Sequence, residues 1–541
     1  MKSFKNISWL LLLFITTVSS CKKLDLVPTD RFTDVNYWTS TPKANGVLNT
    51  AYSQMFTASR FFLNEALSDN AYNGRGDNEG AASLASGTYD ASLGRVKSEW
   101  NDHYSGIKTC NLFLDNVDKV ADMDLTLKAR MKAEARFLRA FQYFQLMTWF
   151  GDVPLFDKDI SLEESLSIGR TSRAQVLEFI LSELDAAIAV LPINTAYAAA
   201  DKGRITKGAA LGLKARIYLY ESRWQDVAST CEAIMSGSNG SYSLFSSYDG
   251  LFLPQNENNT EVLLDLQFAP VNRTHNNFFD FAPISVGARL NALAPTQELV
   301  DSYLMTNGKT INESGSGYSA EDPYVNRDPR LTSTIVYHNY KWTRPDGTIK
   351  TIYIKPGTDP DNTKMDEYAA GGVSSPTGYY LRKYYDPTSL TNFVSGLNLI
   401  LIRYADVLLM YAEARNELSN MDEPVWNQTV RAIRNRAGFT DPVALNFNGS
   451  LGQAGLRSAI RNERRNELAM EGLRIFDIRR WKTAEVVLNG WAHGAKYGSA
   501  SIDNGHIRAN LRVFNPGKHY LWPIPRDERN LNPNLQQNPG W

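Results

Sequence analysis

Between residues 127 and 150 the chain carries a one-sided helical stripe, and this limits its fold more than any other feature. Ala133, Phe137, Ala140, Phe144 and Met147 recur at steps of three and four. That spacing places them on one face of a helix. Gly151 stops the stretch and Pro154 follows closely. The pattern repeats over 171–191, where Val176, Ile180, Leu184, Ala187 and Leu191 share a face and Pro192 ends the run. Segments 206–221 and 224–235 continue it, with Leu211, Ala215 and Tyr218, then Ala228 and Cys231, inward. Helical spacing also marks 42–62 and 100–120. It returns at 402–418, 425–437 and 456–470, followed by an aromatic-basic run at 474–481. Helices of this kind bury their faces only by stacking, and Ala215, Tyr218, Trp224 and Ala228 have the spacing of a degenerate tetratricopeptide pair. The expected class is mainly α, with tetratricopeptide-like helix pairs forming a scaffold.

Residues 238–399 differ in character. Gly, Pro, Asn, Ser and Tyr dominate, and short β-like runs occur at 261–268, 332–342 and 348–355. This reads as a loop-rich insertion with short strands, not as a second autonomous domain. The expected organisation is a scaffold over about 42–237 and 400–485, an insertion over about 238–399 and an extended tail over about 486–541. Connecting loops are where binding residues concentrate.

The first residues read as a secretion signal. Lys2 and Lys5 precede an apolar run from Ile7 to Val18, too short at ~18 Å to span a ~30 Å hydrocarbon core. Val18-Ser19-Ser20-Cys21 resembles a bacterial lipobox, so 1–20 is expected to be removed and Cys21 lipidated. Acyl chains anchor a protein by about 0.8 kcal/mol per buried methylene. Loss of Lys2 and Lys5 takes the net charge from −1 to −3, which argues against a nucleic-acid surface. Cys110 and Cys231 sit among apolar neighbours and read as buried thiols.

Catalytic and metal motifs are sparse. The six histidines lack the short helical spacing of a zinc site, so no metal and no cofactor is expected. The acidic run at Asp359 lacks glycine at its sixth position and glutamate at its twelfth, which rejects a calcium loop. Glu463, Glu467 and Glu471 form a row interleaved with Arg461, Arg464, Arg465 and Arg474. The expectation is mutual neutralisation on a polar seam or solvated face, in preference to acid–base catalysis.

A series of strings spread along the chain carries a family resemblance. They are Cys21-Lys-Lys-Leu-Asp-Leu-Val-Pro, Glu134-Ala-Arg-Phe-Leu-Arg-Ala-Phe-Gln-Tyr-Phe, Trp149-Phe-Gly-Asp-Val-Pro-Leu155, Asp328-Pro-Arg330 and Arg403-Tyr-Ala-Asp-Val-Leu-Leu-Met-Tyr-Ala-Glu-Ala414. Ile433-Arg-Asn-Arg-Ala-Gly438, Glu463-Arg-Arg-Asn-Glu-Leu-Ala-Met-Glu-Gly472, Pro523-Ile-Pro525 and Asn532-Pro-Asn-Leu-Gln-Gln-Asn538 complete them. In these the chain resembles the SusD/RagB-like outer-membrane nutrient-binding lipoproteins of Bacteroidetes. The resemblance implies four tetratricopeptide-like pairs, a loop-rich ligand-binding part and a lipid anchor in the outer membrane. It also implies exposure to the medium and a SusC-like TonB-dependent transporter that the lipoprotein covers as a lid. Members capture oligosaccharides, and some capture peptides; they are not catalysts. The leader departs from the acidic export pattern, since Lys22-Lys23-Leu24-Asp25 has one acid.

A sugar offers apolar C–H faces and a rim of hydroxyls, which rings and planar polar groups recognise. Segment 69–104 holds Asp69, Asn73, Arg75, Asp77, Trp100 and Asn101. Segment 272–342 holds Arg273, Phe278, Phe279, Arg289 and Trp342. Trp342 or Phe278 is the expected stacking platform, with Asp69, Arg75, Asp77 and Asn101 on the hydroxyls. The leading expectation is therefore a surface lipoprotein that binds an oligosaccharide. A peptide ligand, a glycoside hydrolase and a tetratricopeptide scaffold without a small ligand are the alternatives.

Overall fold

The computed structural model describes residues 37–74, 78–388 and 393–541, without the side chains of Asn78, Asn277 and Phe278. The leader, Cys21, Arg75 and Asp77 lie outside the described residues.

The helices are α1 (Thr41–Ser53), α2 (Gly94–Asn116), α3 (Leu125–Phe150), α4 (Arg173–Val190), α5 (Lys207–Tyr220), α6 (Trp224–Met235), α7 (Tyr404–Glu417), α8 (Gly452–Glu467) and α9 (Arg474–Arg480), with shorter turns between them. From α2 to α8 each packs against the next, and α1 covers α2 and α3. Local chemistry sets the ends. The side chains of Asp124, Ser172 and Thr206 accept the N–H groups of Leu127, Gln175 and Ala209 at the starts of α3, α4 and α5. Gly151, at φ +74°, ends α3. Gly106 lets α2 approach α3 closely, because a Cβ there would collide with the Gln142 amide.

Five antiparallel two-stranded ribbons occur among the described residues. β1 (Ala71–Asn73) pairs with β3 (Leu293–Pro295), and β2 (Val262–Leu266) pairs with β8 (Leu399–Arg403). β4 (Ile335–Val336) pairs with β7 (Tyr380–Leu381), β5 (Tyr340–Thr343) with β6 (Ile349–Ile352), and β9 (Gly490–His493) with β10 (Arg508–Arg512). The β2–β8 ribbon ties the entry of the insertion to its exit, and β8 runs directly into α7. Within the insertion, Phe279, Val336, Trp342, Ile352, Tyr380 and Tyr385 form a small apolar core of their own.

Three details differ from the sequence reading. The helix expected over 42–62 breaks at Gln54, and a separate turn Ala58–Leu63 starts where the Thr57 side chain accepts the Arg60 N–H. The helix expected from 402 begins at Tyr404, because Ile402 and Arg403 pair with β2. The tail expected to be extended holds the β9–β10 ribbon and a helical turn, Arg526–Leu531. Trp522 pins that tail by stacking on Trp149 with ring centroids 4.1 Å apart. Cys110 and Cys231 are buried free thiols.

The glutamate row is a buried seam, but its partners are not the neighbouring arginines. Glu463 meets Arg330 and Arg434, each at 2.7 Å. Glu467 meets Arg403 at 2.6 Å, Arg330 at 2.8 Å, and Arg436. Glu471 meets Arg403 and Lys383, each at 2.7 Å. Asp328 and Glu261 complete a set in which five acids face five cations. Burial alone would raise the Glu467 pKa; the guanidiniums of Arg436, Arg403 and Arg330 outweigh it and hold the carboxyl well below its usual range. Arg464 instead binds Asp406 and Asp477, and Arg465 and Arg474 turn to Asp69.

Candidate functional site

The β1–β3 ribbon brings the two ligand-candidate loops together. The Gly74 N–H donates to Ala292 O at 2.9 Å, and the Thr296 hydroxyl donates to Asp69 O at 2.7 Å. Gly74 abuts Pro376, so the loop before β7 closes the same rim. On the insertion side, Arg289 grips Asp280 through two hydrogen bonds, 3.1 Å from Nε and 3.0 Å from Nη2. The Arg289 guanidinium lies 5.8 Å from the centroid of the Phe393 ring. Phe393 packs edge-on against buried Phe279 at 5.1 Å and keeps 40% of its surface exposed. A half-exposed ring beside a guanidinium with unused N–H donors can stack on a C–H face and bind hydroxyls or carbonyls.

The other candidates disperse. Asn73 is buried in β1. Asp69 is buried and clamped by Arg465 at 2.9 Å and Arg474 at 2.8 Å. Burial raises its pKa and the two guanidiniums outweigh this, holding it low. Its carboxylate joins the loop to α8 and α9. Trp342 is 0% exposed, packed edge-on against Tyr385 at 4.7 Å, with Arg382 at 4.9 Å from its ring centroid. It shows no face to solvent. The backbone of Phe278 lies in the turn Asn277–Asp280 on the rim, and its side chain is outside the described residues.

Trp100 and Asn101 line a separate open groove of about 520 Å³, with Tyr104, Phe156, Leu166 and Glu528 among its walls. Trp100 is buried against Tyr104 and Phe150. Sequence reading missed Phe393 and Asp280, because a single ring and a single acid in polar loops carry no periodic signal. Among the described residues no group of three or more His, Cys, Asp or Glu is arranged to hold a metal ion, and no helix is long and apolar enough to cross a membrane.

The fold and the sequence have clear relatives. The SusD family profile matches residues 260–541, and a second profile, described as starch-binding and associating with the outer membrane, matches 33–219. A SusD-like protein of Formosa agariphila is 28% identical over 468 residues, 82% of this chain and 78% of that one. The starch-binding protein SusD of Bacteroides thetaiotaomicron is 27% identical over 219 residues, 39% of this chain and 37% of that one. The crystal structure of a SusD-like carbohydrate-binding protein from Bacteroides fragilis superposes with a TM-score of 0.83 at 30% identity, covering 92% of this chain and all of that one. The stacked helices, the ribbon-tied insertion and these matches together establish that the chain belongs to the SusD family.

Proposed function

We propose that this protein is a lipid-anchored, surface-exposed outer-membrane protein that binds an oligosaccharide and passes it to a TonB-dependent transporter, without cleaving it. The observation that carries the reading is the rim itself, where Phe393 and Arg289 present a ring and a guanidinium side by side. The carbohydrate-binding relative of known structure supports a sugar as ligand, and the outer-membrane profile supports the location. The glutamate row, the most regular acidic feature of the sequence, is spent on buried ion pairs, which favours binding over hydrolysis.

The test is a glycan array probed with the soluble chain lacking its leader, with a peptide pool as the competing arm. Arg289→Ala and Phe393→Ala should each weaken glycan retention about tenfold, the equivalent of ~1.4 kcal/mol. Equal retention by both variants would sink the assignment of the rim. Cys21→Ala should shift the protein out of the membrane fraction, and pull-down from solubilised outer membranes should recover a β-barrel transporter.

A further inference from the structure

A second cavity, of about 410 Å³, lies between the end of α1, the residues before α5 and the loop after β2. Its size falls within the ~300–1,000 Å³ of small-molecule sites. Tyr52, Lys202, Arg204, Asp265, Phe268 and Arg273 are among its walls. None of the rim residues Asp280, Arg289 and Phe393 lines it.

Three cations lie on the wall of this cavity, and only one of them is paired with carboxylates. Arg204 is neutralised by Glu134 at 2.9 Å and Asp201 at 3.0 Å. Arg273 and Lys202 have no carboxylate within ion-pair distance among the described residues. Arg273 lies 5.0 Å from the centroid of the Phe268 ring and donates to the carbonyls of Gln267 at 2.8 Å and Ser53 at 3.3 Å. These contacts fix the guanidinium without supplying a counter-charge. Half-burial lowers its pKa, and no neighbouring anion offsets that cost. The one acid of the wall, Asp265, has its oxygens taken by the amides of Gln267 at 2.5 Å and Asn398 at 3.1 Å. Burial pushes that carboxyl up to about 6.

The loop that presents Arg273 is built under strain. Ala269 and Arg273 exchange backbone hydrogen bonds of 2.8 and 3.1 Å around the tip Pro270-Val271-Asn272. Val271 sits at φ +73° with 94% of its surface exposed, an outlier for a β-branched residue. Pro270 packs so tightly on Gly396 that a Cβ there would meet it at 2.5 Å. Strain that the surroundings hold in place marks functional loops.

We infer that this cavity is a second ligand site, selective for a sugar unit that carries a carboxylate, such as a uronic acid, with Arg273 and Lys202 binding the anion. The planar guanidinium suits a carboxylate through paired N–H donors, and Phe268, Tyr52 and the Asp265–Gln267 edge suit the ring and its hydroxyls. That the ligand is a sugar rests on the carbohydrate reading above; that its charged group is an anion rests on this cavity alone.

Isothermal titration with a uronic-acid disaccharide and its neutral counterpart tests the inference in the wild-type chain, Arg273→Gln, Lys202→Ala and Arg289→Ala. The acidic disaccharide should bind at least tenfold more tightly than the neutral one. Arg273→Gln should weaken it about tenfold or more and Lys202→Ala severalfold, while Arg289→Ala reads how much of that binding the rim contributes. Lys202 is exposed, so its variant keeps the test independent of folding, and a melting curve checks Arg273→Gln. Equal affinity for the two disaccharides, or no loss in both cavity variants, would overturn the inference and leave the rim untouched. Loss of acidic binding in Arg289→Ala alone would also overturn it, by assigning the acid to the rim.

Discussion

Arg403, the last residue of β8, and Glu467, the last residue of α8, meet at 2.6 Å although 64 positions separate them. Both side chains are essentially buried. Arg403 also reaches Glu261 and Glu471, so one guanidinium fastens the entry of the insertion, its exit and the C-terminal helices. Such a pair contributes little against an apolar replacement, but losing one member strands the other.

Glu467→Ala should therefore destabilise the protein by about 3–5 kcal/mol, read as a lower urea midpoint. It leaves Arg330, Arg403 and Arg436 short of an acceptor. A midpoint within error of the wild type would show that the seam is not a folding determinant.

Stability should depend on pH in two opposite ways. Asp69, Asp406 and Glu467 are each held low by guanidiniums that outweigh burial. Unfolded carboxylates titrate near 4, so this contribution is present above about pH 4 and lost as pH falls below it. Burial instead pushes Glu65 up to about 7, despite hydrogen bonds from Asn70 and the Gly472 N–H. A raised acid favours the folded state at low pH and weakens it as pH climbs towards 7. The urea midpoint over pH 3–7.5 should peak on the acid side of neutrality. Glu65→Gln should flatten the neutral limb, and an unchanged slope in that variant would refute the account.

Trp522→Ala should cost about 3–5 kcal/mol and release the tail first. Its ring stacks on Trp149, and its backbone N–H donates to Trp149 O at 2.7 Å. Limited proteolysis should cut near 489–520 in the variant before the scaffold is attacked. A protected tail would mean that its other tethers suffice, among them the bonds of Arg512 to the carbonyls of Ser68 and Ala71 and of Asn538 to the carbonyl of Phe150.

Trp342→Ala and Phe393→Ala should separate stability from binding. The buried indole should lower the melting temperature strongly, at about 3–5 kcal/mol. The exposed phenyl should leave melting nearly unchanged and reduce glycan retention. The reverse pattern would return Trp342 to the ligand.

The helices were legible because a 3.6-residue period survives over long segments. The stretch read as 127–150 is α3, Leu125–Phe150, and 224–235 is α6 as read. The tail was not legible, since its hairpin and six-residue turn are too short to show a period. The two loop regions expected to carry ligand contacts are shown by the structure to be neighbours through the β1–β3 ribbon, while the accessibility of individual side chains was misjudged. Trp342 carried a usable warning: Tyr340 and Trp342 alternate with Lys341 and Thr343, and the first two face inward. Asp69 carried none, because Arg474 lies 405 residues away. Ion pairs across that separation have no local signature.

The seam around Arg403 also governs which parts of such a chain can be exchanged. Glu261, Arg330 and Lys383 belong to the insertion, yet each ends in charges supplied from outside it. Transplanting the whole insertion between distant kin would orphan those groups unless all three travelled with matching hosts. Exchanging only the tips at 277–291 or 366–378 leaves every rivet in place, so those tips can vary by small edits without reworking the frame.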